Sequence, residues 1–303
     1  MADLIRTGGE KNLSSVWRCL YLVIRGAYDA DKMDFLLRDA ESCGLQGISR
    51  SEVDRLMITS FVDRLGDGSP AWFLDASSLP ALAAFLRHRQ HITEVSYFHR
   101  TVRSFEETVS VSLAWAMSNL VGGSPLDNLD NYLACDEYTL HAFLSRAASS
   151  TDPEASRMGK KWLLALQGKM DWDEACTFFR RSTRRPAPVD DHAPEDVKRK
   201  ILEELKEDVV IWVDKPLLQA PGTLLGSGPE TAVLSFDRKT GKVSSVTIEK
   251  LRDRGVLGHI AAFRVYVHRD YKAYLDKVVS AARKIFSEDQ WAVSPADSDL
   301  TSW

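Results

Sequence analysis

The chain lacks the features that define several large classes of protein. Cysteine is scarce: Cys19, Cys43, Cys135 and Cys176 are the only four in 303 residues. None stands at Cys-x-x-Cys spacing, so a thiol zinc centre or disulfide scaffold is not indicated and reduced, packed thiols are. No apolar run approaches the roughly 20 residues of a membrane span. The first residues also lack the basic-then-apolar layout of a secretory leader. Net charge is only −4, so no overall field favours nucleic acid. Histidine is missing from the first 87 residues; His88, His91, His99, His141, His192, His259 and His268 follow, none directly before an aspartate. These absences lead to the expectation of a soluble, cytoplasmic protein with no membrane partner and no strong case for nucleic acid.

What is present suits a globular protein. Apolar residues make up 44% and charged residues 27%, enough to bury the core of one large or two modest domains. The run Tyr28 to Asp39 is the most informative. At helical spacing, Asp31, Lys32, Phe35, Arg38 and Asp39 fall along one side, with Met33, Leu36, Leu37 and Ala40 along the other. A helix burying the second side presents carboxylates that suit a divalent cation beside a lysine and an arginine that suit phosphate. The same pattern also describes a solvated face carrying i,i+4 ion pairs.

Along the rest of the chain, residues 1–12 read as a flexible lead-in and Leu13 to Ile24 as a helix. Leu56-Met57-Ile58-Thr59 and Trp72-Phe73-Leu74 read as a strand and its return around Gly66-Asp67-Gly68. Two helices follow Ser77. The second carries Phe98, Val102, Phe105, Val109, Leu113, Ala116 and Leu120 as its expected buried edge, with His99, Arg103, Glu106 and Glu107 beside it. Asp136 opens another helix, and 153–179 reads as one or two more, with Trp162, Leu163, Leu166, Trp172, Ala175 and Phe178 in the core. The basic run Arg180 to Arg185 leads into a proline-rich link and reads as a solvated flank, since no aromatic residues interleave with it. Beyond it come a helix at 195–206, strands at 209–213, 232–236, 242–248 and 263–267, and a helix capped by Asp270. His268-Arg269-Asp270 is not a kinase catalytic loop, because no glycine-rich loop, strand lysine or Asp-Phe-Gly accompanies it. The expected architecture is a mainly α helical bundle over 1–185, a small α+β lobe over 195–287 and a flexible tail over 288–303.

The string Asp29-Ala30-Asp31-Lys32-Met33-Asp34-Phe35-Leu36-Leu37-Arg38-Asp39, followed by Ala-Glu-Ser-Cys-Gly-Leu, resembles the last metal-binding segment of HD-domain phosphohydrolases. The deoxynucleoside triphosphate triphosphohydrolase branch is the one it resembles in particular. The resemblance implies Asp31 as a metal ligand, Lys32 against phosphate, Phe35 against ligand without the hydroxyl of the family's tyrosine, and Asp39 on a sugar hydroxyl. Tyr97 to Arg103 is similar to the family helix that brings His and Arg to the substrate pocket. That implies catalytic roles for His99 and Arg100, with Arg103 where an aromatic contact is often found. On this footing the bundle is HD-like and incomplete, since the family's upstream His and His-Asp ligands have no counterpart here. The cofactor is a divalent metal (Mn, Mg, Fe or Zn) only if those ligands are supplied, and a lone aspartate does not hold one. The open readings are a truncated phosphohydrolase, a subunit whose partner chain carries the His-Asp motif, and a non-catalytic nucleotide-sensing or protein-interaction descendant. A ligand-free scaffold is the fourth. The resemblance also implies a homo-oligomer, with Leu13–Ile24 as a contact surface.

Overall fold

A computed structural model describes residues 17, 19–20, 23–24, 26–45, 47, 49–122, 124–182, 193–215, 233–247, 250, 259–286 and 292–295. Residues 1–12, the proline-rich link and the long loop after Pro216 lie outside them. In chain order the elements are α1 (Ala30–Ser42), α2 (Arg50–Ile58), β1 (Ser60–Arg64), β2 (Pro70–Asp75) and α3 (Leu79–Ile92). Next come α4 (Arg100–Val121), α5 (Leu129–Ala134), α6 (Glu137–Ala147), α7 (Pro153–Leu166), β3 (Trp172–Ser182) and α8 (Pro194–Leu205). Last are β4 (Ile211–Asp214), β5 (Val233–Asp237), β6 (Lys242–Val246), β7 (His259–His268), α9 (Leu275–Phe286) and β8 (Ala292–Pro295). The protein is therefore mainly helical with two small sheets, and no described helix is long and apolar enough to cross a membrane.

The elements gather into two compact units that interleave along the chain. One holds 1–96, 179–191 and 216–262, the other 97–178, 192–215 and 263–303. In the first, α1 starts because the Asp29 carboxylate accepts from the Lys32 amide at 2.8 Å, and Leu36 and Ala40 are its buried face. It ends at Cys43, with Gly44 at φ +64°. A reciprocal Ser49/Glu52 capping box opens α2. Residues 56–58, expected in a strand, instead close α2, and the strand begins two residues later at Ser60. The β1–β2 hairpin sets Phe61 opposite Phe73, their rings 5.7 Å apart.

The first sheet runs β1-β2-β5-β6, so the β5–β6 hairpin belongs to this unit rather than to a C-terminal lobe. β5 lies parallel to β2, with Phe73 opposite Leu234, and brings Phe236 against Phe61 and Phe73 at 6.0 and 6.4 Å. The hairpin edge of β2 is thereby covered and three phenylalanines share one face.

In the second unit the sheet runs β4-β7-β3-β8. The residues buried on α4 are Ser104, Thr108, Ser112 and Ala116; of the predicted edge Ala116 alone is among them, and Val102 is exposed. Small residues let α4 lie close to α7, where the Ser112 hydroxyl donates to the Met158 carbonyl at 3.3 Å. Thr108 satisfies its own hydroxyl on the Ser104 carbonyl at 2.8 Å. The stretch predicted as a second helix before residue 179 is strand β3. Ala175, Cys176, Thr177 and Phe178 are all buried, the signature of a strand covered on both faces. Ala292–Pro295, expected in the tail, is a fourth strand.

Candidate functional site

The first unit carries the residues of the α1 stripe. Asp29 is buried and its carboxylate forms an ion pair with the Lys32 ammonium, so the lysine is anchored to the cap of its own helix. Asp34 pairs with Arg38 at 2.9 Å on an exposed face. Asp31 sits in the first turn, exposed, and its carboxylate makes no hydrogen bond or ion pair with any side chain among the described residues. Phe35 and Asp39 are half-buried. In its first turn the helix thus presents the Asp31 carboxylate uncommitted, while its neighbours at 29 and 34 are committed to cations.

His99, Arg100 and Arg103 belong to the second unit. His99 is the N-cap of α4, its Nδ1 accepting from the Thr101 amide at 3.3 Å. Arg103 reaches Asp214 of β4 through two hydrogen bonds of 2.9 and 2.8 Å, and Glu106 also pairs with it. The Asp214 carboxylate holds the guanidinium charged and raises its pKa against the opposing effect of burial. Arg103, assigned to substrate by resemblance, is thus tied to a buried carboxylate that the sequence reading did not connect to it.

Arg100 lines a cavity of about 460 Å³ with Trp172, Asp173, Glu174, Arg269 and Lys272. Arg100 stands 4.0 Å from Glu174, and Lys272 3.5 Å from Asp173. Arg269 enters no ion pair among the described residues. Trp172 contributes a buried indole N–H with no hydrogen-bond partner. Tyr266 donates to the Arg100 carbonyl at 3.2 Å, and burial raises its pKa, which keeps the phenol neutral. Chemically the pocket offers three cations against two acids beside the Trp172 ring, which suits an anion bearing a flat ring.

From sequence Trp172 reads only as a core residue, Arg269 only as part of the rejected kinase-like triplet, and Lys272 not at all; Arg269 and Lys272 lie in the 3-10 turn Arg269–Tyr274 that reads as a plain helix start. Among the described residues no group of three or more His, Cys, Asp or Glu is placed to hold a metal ion. A divalent ion needs several such donors, and Asp31 is part of no such group among the described residues. No model of a known family and no curated protein matches the chain.

Proposed function

We propose that the chain binds a (deoxy)nucleoside triphosphate or a related phosphate ester as part of an HD-type, metal-dependent phosphohydrolase, with the rest of the metal ligands supplied from outside this sequence. The observation that carries the reading is the uncommitted Asp31 carboxylate on a helix whose other first-turn charges are neutralised. The resemblance of residues 29–39 to the HD metal segment supports it. In this role Asp29 fixes the start of α1 and the position of Lys32, so Asp31 projects from a preorganised turn. Exposed apolar Trp17, Leu20 and Ile24 fit an assembly partner, whether a second copy or a chain carrying the His-Asp ligands.

The test uses the tagged chain expressed in its native host and purified with whatever assembles on it. The assembly is expected to release phosphate from nucleoside triphosphates with Mn²⁺, and Asp31→Asn to abolish turnover without changing the far-UV circular dichroism. Full activity in Asp31→Asn would overturn the reading.

A second reading, nucleotide sensing without turnover, is favoured by the Arg100/Arg269/Lys272 pocket of the second unit. It predicts nucleotide-dependent thermal stabilisation that Asp31→Asn retains and Arg269→Ala with Lys272→Ala loses.

A further inference from the structure

Within the first unit, beside the start of α1, lies a second cavity of about 220 Å³. Its walls include Ala27, Met33, Met57, Trp72 and Leu234, and its polar edge is made by Tyr28 and Ser60. It is independent of the phosphate reading: among the described residues no charged side chain lines it. An apolar cavity of about 150 Å³ already holds benzene, so this one leaves room for a fused second ring. Two methionine sulfurs and an indole make polarisable walls for an aromatic guest.

The polar edge has a direction that follows from counting protons. The Trp72 indole N–H donates to the Tyr28 hydroxyl at 2.9 Å. Ser60 donates its only hydroxyl proton to the Leu56 carbonyl at 2.7 Å. In the 3.0 Å contact between Tyr28 and Ser60, the serine therefore has only a lone pair left to offer, and Tyr28 is the donor. Protons run Trp72 to Tyr28 to Ser60 to Leu56, and each is used. What remains on the two hydroxyl oxygens is acceptor capacity alone. Burial raises the Tyr28 pKa, which keeps this ordering intact at neutral pH.

We propose that this cavity is a binding site for a small, uncharged, bicyclic aromatic molecule presenting one N–H or O–H donor to the Tyr28/Ser60 edge. Charged ligands are excluded by the lining, and ring systems whose only heteroatom is an acceptor meet lone pairs with no donor.

Indole and benzofuran make the direct comparison, since they share a shape and differ in whether the ring heteroatom carries a proton. With the full chain, calorimetry is expected to show indole binding about fivefold tighter than benzofuran, the ratio one hydrogen bond confers. Indole about tenfold above its Kd should raise the melting temperature by about 3 °C. Ala27→Leu, filling the cavity, and Met57→Trp, capping its half-exposed mouth, should each abolish the indole shift. Absence of indole binding, equal binding of benzofuran, or indole binding retained by either folded variant would overturn the proposal.

Discussion

Gly159 sits inside α7 where that helix meets the end of α6, and replacing it with alanine tests a close backbone contact in the second unit. Two effects oppose one another. Alanine is better than glycine in a helix interior by about 1 kcal/mol. Against that, a Cβ at 159 would lie 2.2 Å from the Ala148 amide nitrogen, 2.5 Å from the Leu144 carbonyl oxygen and 2.6 Å from the Ala148 Cα. All three are backbone atoms, so no side chain can swing aside and the helices themselves must part by about 1 Å. A gap of that order forfeits a quarter to a half of the dispersion energy of each contact it opens. The opened seam runs through Leu140, Leu144 and Met158, all buried beside Ala116. Overpacking of this kind costs about 1–3 kcal/mol, and more when the backbone must move; with the propensity gain subtracted, a net loss near 2 kcal/mol is expected. Urea unfolding followed by circular dichroism should show a lower midpoint at unchanged slope. A midpoint equal to or above that of the parent would refute the close-approach argument and leave helix propensity as the governing term.

Gly44→Ala tests the other use of glycine: its φ is +64° and the space around it is open, so only left-handed strain opposes the change, about 1 kcal/mol. A loss exceeding that of Gly159→Ala would contradict both accounts. Burial, aided by Glu174, pushes the Cys176 thiol up to about 12. In the native protein a thiol reagent at pH 8 should therefore spare Cys176 while labelling exposed Cys43; fast labelling of both before urea is added would sink the assignment. Cys176, Tyr28 and Tyr266 all have native pKa values raised by burial. Their stabilisation is complete below the unfolded pKa and is lost as pH rises, so the urea midpoint should fall from about pH 9 upward. A midpoint constant to about pH 11 would show that these groups are not buried. Asp29→Ala, which removes the α1 cap and strands Lys32, should cost about 1–2 kcal/mol and be matched by Asp29→Leu but not by Asp29→Asn.

Local patterns carried much of this architecture into the sequence. The two-sided spacing of 28–40 marks α1, and Asp237-Arg238-Lys239-Thr240-Gly241 marks the β5–β6 turn, where the Asp237 carboxylate accepts from the Lys239 amide at 2.8 Å. Asp136, read only as a helix start, caps α6 through the Thr139 amide at 2.7 Å. What was not legible depended on partners distant in sequence. The buried edge of α4 is hydroxylic because α7 lies against it, and apolar periodicity is silent about a seam of Ser and Thr. Strand β3 reads as helix because Trp172, Ala175 and Phe178 recur at helical steps, and only the sheet around it selects the extended form. For the candidate site, the α1 residues could be named from their string. The fate of Arg103 could not, since Asp214 lies 111 residues away.

The parallel pairing of β2 with β5 has a consequence for synthesis on the ribosome. Leu74 has to wait for Ser235, roughly 160 residues later, which at about 5–20 residues per second is a delay of roughly 10–30 s. Throughout that interval the nascent hairpin carries an open strand edge beside Phe73, while much of the second unit is translated in between. Chaperone occupancy on ribosome-bound chains should thus rise once β2 leaves the exit tunnel and subside only after β5 emerges.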